Sequence, residues 1–157
     1  MKLRILTFIA AALLLAGCAS DKEASTSDTS GSSTGGTAAP GSVEDFQVNV
    51  GDRVFFDFDS YEIRADAQET LNKQAAWLGQ YANYAITVEG HCDERGTREY
   101  NLALGERRAN AVRNYLVAQG VDPNRIQTIS YGKERPEVAE SNETAWAQNR
   151  RGVTVLQ

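Results

Sequence analysis

Gly90-His91-Cys92-Asp93-Glu94-Arg95-Gly96-Thr97-Arg98-Glu99-Tyr100-Asn101-Leu102-Ala103-Leu104-Gly105-Glu106-Arg107-Arg108-Ala109 joins the end of a strand to the start of a long helix. Just before it, Ala85-Ile86-Thr87-Val88-Glu89 alternates apolar and polar side chains, a short strand that Gly90 closes. Thr97 is placed to cap a helix running to about Gln119, with Gly120 just past its end. At 100° per residue, Asn101, Gly105, Arg108, Val112 and Tyr115 fall within about 80° of one another, on the side of Ala109 and Leu116. The inward face of this helix therefore carries an amide and a guanidinium. Arg107 points nearly 100° away and is the solvated one.

Outward from this stretch, strands and helices alternate. Arg53-Val54-Phe55-Phe56-Asp57-Phe58-Asp59 reads as a strand running into a loop. Asp66, with Glu69 three residues on, resembles a capping box that uses Asp as the cap. Ala67, Leu71, Ala75, Leu78 and Ala82 then recur at helical spacing. Arg125 to Tyr131 forms another strand, ended by Gly132. Asn142 to Asn149 forms a short helix and Gly152 to Leu156 a final strand. The expected fold is α/β: a mixed sheet of about four strands packed with two main helices and a short third helix, in a βαβαβ arrangement. It occupies residues 43–157, which is 115 residues (157 − 42) and enough for one core.

The front of the chain is of another kind. Lys2 and Arg4 precede an apolar run from Ile5 to Leu15, too short for the roughly 20 residues a membrane span needs. It fits a secretory signal over residues 1–17. Leu15-Ala16-Gly17-Cys18 resembles the bacterial lipobox, which implies acylation of Cys18 as the new N-terminus. Several acyl chains on one Cys hold a membrane where one does not. Ala19-Ser20 lacks the Asp that commonly retains such proteins at the inner membrane, so the resemblance implies the outer one. Residues 19–42 are rich in Ser, Thr and Gly, without an aromatic or branched aliphatic side chain. They are expected to be a flexible tether with an r.m.s. span of about 27 Å.

Composition narrows the function. The chain has 16 Lys+Arg against 21 Asp+Glu, a net charge of -5, which excludes the basic surface of a nucleic-acid binder. One His and two Cys make no four-ligand zinc site and no disulfide framework. An inward Arg108 must be paired, because burying a lone charge is costly. Two partners stand open: an internal acid, Asp93, Asp57 or Asp59, or the anion of a ligand. Asp93 lies just beyond a strand end, where open α/β sheets place binding residues. Gly96 permits a tight turn, and the helix that follows offers free first-turn N–H groups. Gly105 costs roughly 1 kcal/mol against Ala in a helix, which a ligand's approach or tight helix–sheet packing would explain equally well. An acid, a guanidinium, an amide and free N–H groups suit a ligand carrying both ammonium and carboxylate, most simply an amino-acid zwitterion.

The motif Gly90 to Thr97, then Glu99-Tyr100-Asn101 and Leu104 to Ala109, strongly resembles the OmpA-like peptidoglycan-binding domain. Phe56 to Asp59, Ser130-Tyr131-Gly132 with Pro136, and Asn149-Arg150-Arg151 extend the resemblance over 53–157. It implies a non-enzymatic, cofactor-free pocket for the free end of meso-diaminopimelate in the peptidoglycan stem peptide. Carried over by position, Asp93 would take the ammonium and Arg108 the carboxylate. Asn101 and the backbone at Phe58, Asp59 and Thr97 would complete the cradle, with Arg150 as a further contact. The resemblance also implies an outer-membrane, periplasm-facing protein that works with TolB and the other Tol proteins when the envelope constricts at division. Cys92 departs from the pattern, standing where Thr is frequent.

Two other readings are weighed against this one. A thiol hydrolase would use Cys92 and His91, but neighbours on a strand point to opposite faces, and a metal site on His91, Cys92 and Asp93 fails for the same reason. Asp57 and Asp59 as a glycosidase pair share one short segment with no second partner. The remaining alternative is a lipoprotein of the same domain family that binds only other proteins.

Overall fold

Alternating apolar and polar residues build the strands β1 (Arg53–Phe55), β2 (Ile86–His91), β3 (Ile126–Gly132) and β4 (Arg151–Leu156). They lie in the order β1-β4-β2-β3. β4 is antiparallel to both β1 and β2, and β3 is parallel to β2. The sheet is therefore mixed and four-stranded, as expected. A computed structural model describes residues 38–157. The expected signal, the expected lipidation site Cys18 and most of the expected tether lie outside the described residues.

Two long helices, α2 (Ala65–Gln80) and α3 (Arg98–Ala118), share one core with the sheet. Leu71, Leu78, Val112 and Leu116 pack with Val54, Ile86, Val88 and Ile126, each at most 5% exposed. A short α4 (Glu143–Asn149) is capped by the Asn142 side chain, which accepts from Ala145 N at 2.9 Å. α3 starts as expected: Thr97 is its N-cap, and its hydroxyl accepts from Tyr100 N at 3.2 Å.

Three details depart from the expectation. A helical segment, α1 (Val43–Asp45) widening into Phe46–Val50, precedes β1. It has no long apolar period, and tertiary contacts hold it instead. Phe46 meets the Trp77 ring edge-on at 5.0 Å, and the Asp45 carboxylate accepts from Trp77 Nε1 at 2.8 Å. Asp66 does not cap α2; Arg64 occupies that position, with extended backbone and no side-chain cap. The Arg64 guanidinium grips both Asp66 oxygens at 3.0 Å, so this acid serves the first turn and its dipole. Ala82 falls past the helix end and is exposed.

Gln74 is polar yet fully buried among the apolar residues of α2. Its amide donates to Gly51 O at 2.7 Å and accepts from the Thr154 hydroxyl at 2.9 Å, tying α2 to β4. Gln74→Leu leaves the buried Thr154 hydroxyl and the half-buried Gly51 carbonyl without their partner. It should lower unfolding free energy by about 2–3 kcal/mol in urea titration.

Candidate functional site

The loops after β1 and β2 and the inward face of α3 converge beyond the carboxyl end of β2, the usual position for a site in an open α/β sheet. They enclose a cavity of about 170 Å³. Phe58 and Asp59 come from the first loop, Cys92, Asp93, Arg95 and Gly96 from the second, and Tyr100, Asn101, Leu104 and Arg108 from α3.

α3 reaches this position because two glycines meet. A Cβ on Gly90 would overlap the Gly105 carbonyl, and one on Gly105 would strike the Ser130 hydroxyl and come to 2.9 Å from Gly90 O. Helix–sheet packing is thus the reason for Gly105. The resulting close approach presses Arg108 against the strand end.

Arg108 is 1% exposed. Its Nε donates to Ser60 O at 2.8 Å, Nη1 to His91 O at 2.8 Å and Nη2 to Asp57 O at 3.1 Å. The internal ion pair to Asp93, Asp57 or Asp59 is not formed: three backbone carbonyls hold the guanidinium, and it makes no salt bridge among the described residues. Partial carbonyl charges orient the cation but do not neutralise it. Burial pulls the guanidinium below its ordinary value, although an arginine stays charged. One positive charge on the cavity wall, that of Arg108, is therefore left without an ion-pair partner among the described residues.

Asp93 supplies the opposite charge. Burial pushes its carboxyl up, but hydrogen bonds from the Arg95 side chain and backbone, and then from Arg150, outweigh burial and hold it below the usual carboxylate value. The Arg95 contacts are Nη2 at 2.6 Å, Nε at 3.2 Å and backbone N at 3.1 Å. Arg150 Nη1 is 3.4 Å away, while its Nε donates to Phe56 O and its Nη2 to Glu143. Arg150 thus stands behind Asp93 rather than on the cavity wall.

The other expected residues divide in the same way. Phe58 and Asp59 line the cavity, and Asp59, with φ +54°, accepts from the Tyr100 hydroxyl. Asn101 lines it too, but its amide donates to Arg95 O at 2.7 Å and Thr97 O at 3.0 Å, so its donors fix the loop. Thr97 caps α3 beside the cavity without lining it. Arg95, Tyr100 and Leu104 escaped the sequence reading. Arg95, two residues from Asp93 in a tight turn, was the legible one. Trp146, which covers Arg95 at 4.1 Å, comes from α4 and has no sequence signal.

The His91 and Cys92 side chains diverge. Cys92 Sγ donates to Asn101 O at 3.3 Å on the cavity side, and burial pushes the thiol up. His91 Nε2 instead approaches Glu89 Oε2 at 3.3 Å, beside Tyr131. Burial, then the Arg151 charge, push His91 down to about 4. It folds neutral while the unfolded chain titrates near its ordinary 6.5. The associated stability is complete above about pH 6.5 and drains as pH falls toward 4. Melting of wild type against His91→Gln should reveal a difference on the order of 2 kcal/mol appearing across that window.

The OmpA family matches residues 55–150. The peptidoglycan-associated lipoprotein of Rhizobium meliloti is 63% identical over 145 residues, covering 92% of this chain and 82% of the relative. That of Haemophilus influenzae is 42% identical over 139 residues, covering 88% of each. Among solved structures, the peptidoglycan-associated lipoprotein from Burkholderia pseudomallei superposes with a TM-score of 0.66 at 44% identity, over 68% of this chain and 90% of that one. The C-terminal domain of Helicobacter pylori MotB, at 24% identity and a TM-score of 0.62 over 68% of this chain and 84% of that one, shares the fold. The chain belongs to the OmpA family and, within it, to the peptidoglycan-associated lipoproteins.

Proposed function

We propose that this protein is a non-enzymatic tether, anchored in the outer membrane through acylated Cys18, that grips peptidoglycan from the periplasmic side. The ligand is the free end of meso-diaminopimelate in the stem peptide. One observation carries the reading: a fully buried guanidinium with no carboxylate partner lines a small cavity that also contains the buried Asp93 carboxylate. A zwitterion supplies the carboxylate that Arg108 lacks and an ammonium for Asp93, which Arg95 and Arg150 hold in its absence. Arg108 takes the carboxylate and Asp93 the ammonium. Asp59 and Phe58 add to the cavity wall, and Asn101, Thr97 and Arg150 hold the loop and the acid in place. Residues 19–42 give the reach between membrane and wall. The kinship extends the proposal to TolB and the other Tol proteins as partners during constriction at division.

Isolated sacculi provide the test. The protein should co-sediment with them, free diaminopimelate should release it, and Asp93→Asn should weaken retention at least 10-fold. Retention unaffected by both free diaminopimelate and Asp93→Asn refutes the site. Release of wall fragments that Cys92→Ser abolishes would establish a hydrolase instead.

A further inference from the structure

Arg95 occupies the place beside Asp93 that the ligand's ammonium would need. Its guanidinium holds Asp93 through both Nε and Nη2, at 3.2 and 2.6 Å. It is also sandwiched between aromatic rings, 4.2 Å from the Phe58 centroid and 4.1 Å from that of Trp146, with Glu143 at 3.7 Å. Carboxylate, flanking rings and a second acid are the elements of a seat for an organic cation. That seat is filled by the protein's own side chain. The Arg95 side chain is 31% exposed against 5% for Asp93, so it borders solvent and can leave by rotamer change while the acid stays in place.

We propose that Arg95 is an internal competitor for the cation seat, and that a ligand's ammonium reaches Asp93 only as the Arg95 guanidinium swings out. This rests on the reading of Asp93 as the ammonium acceptor. The consequence is selectivity. A simple amine offers Asp93 no more than Arg95 already does, and it leaves Arg108 unanswered. A zwitterion satisfies both groups at once and so displaces Arg95. Self-occupancy lowers the apparent affinity of every ligand by the fraction of time the seat is free, and an amine has no second contact to make up the loss.

Calorimetric titration of the full chain in detergent tests this, with meso-diaminopimelate and the diamine cadaverine as probes. Arg95→Ala should bind diaminopimelate about 10-fold more tightly, equivalent to about 1.4 kcal/mol, and should acquire measurable cadaverine binding. Arg95→Lys, which keeps the charge but loses the planar fork, should fall between it and wild type. In wild type, diaminopimelate should shift the Trp146 indole N–H resonance as the guanidinium leaves its ring. Unchanged or weaker binding by Arg95→Ala, while Asp93→Asn and Arg108→Ala abolish binding, overturns the competitor and makes Arg95 an ordinary contact. Binding indifferent to Asp93→Asn overturns the ammonium seat itself and the competitor with it. If Arg95→Ala does not fold, a Trp146 resonance unmoved at saturating diaminopimelate overturns the competitor.

Discussion

Arg108→Ala should abolish retention on sacculi, lowering affinity for free diaminopimelate by 100-fold or more. Truncating one member of a buried, hydrogen-bonded charge pair typically costs 2–5 kcal/mol. Here the remaining member would be a ligand carboxylate in a cavity with no other unneutralised cation to meet it: Arg95 and Arg150 both face Asp93. The same substitution leaves the carbonyls of Ser60, His91 and Asp57 without their donor, so lower stability is expected as well. Arg108→Lys separates the two effects. A lysine keeps the charge but cannot serve three divergent carbonyls and a carboxylate with one ammonium. The variant should melt cooperatively, between Arg108→Ala and wild type, yet bind at least 10-fold more weakly than wild type. Wild-type retention by both variants would show that the ligand's carboxylate lies elsewhere.

Gly90→Ala should cost more stability than any other single-methyl addition in the domain. The new Cβ overlaps the Gly105 carbonyl. β2 cannot retreat, because it is bonded to β4 on one side and β3 on the other. α3 would have to lift, breaking the packing of Ala109, Val112 and Leu116 and the seat of Arg108. Overpacking usually costs 1–3 kcal/mol. With a backbone atom as the obstacle on a central strand, about 4 kcal/mol is expected, or roughly 15 °C in Tm. Gly79→Ala is the matching control. Nothing lies within 4 Å of a Cβ there, and a glycine within α2 should give up about 0.5–1 kcal/mol of unfavourable propensity when replaced. The two melting curves should move in opposite directions. A mild effect at Gly90 would mean that the helix–sheet spacing is not set by this glycine pair.

Much of the architecture was legible along the chain because it is locally encoded. Alternation marked β2, Gly132 ended β3, and Thr97 and Gly120 bounded α3, since a cap and a stop are decided within a few residues. Misreadings arose where a local signal met a stronger partner, as with Asp66, drawn to Arg64 instead of capping α2. The burial of Gln74 was not legible because its partners, Gly51 O and the Thr154 hydroxyl, are 23 and 80 residues away.

For the site, the sequence by itself determined that Arg108 faces inward and that Asp93 follows a strand end, because helical period and strand termination are properties of neighbours. It could not determine what Arg108 bonds to. Only the tertiary structure decided that: the chain reversal after β1 brings the carbonyls of Asp57 and Ser60 around the guanidinium, and no acid arrives. Arg95 and Trp146 belong to the same class, one visible in the stretch that begins at Gly90, the other brought to it from α4. A charge's direction is written in the periodicity of its own helix, but its neutralisation depends on groups that meet only when the chain has folded.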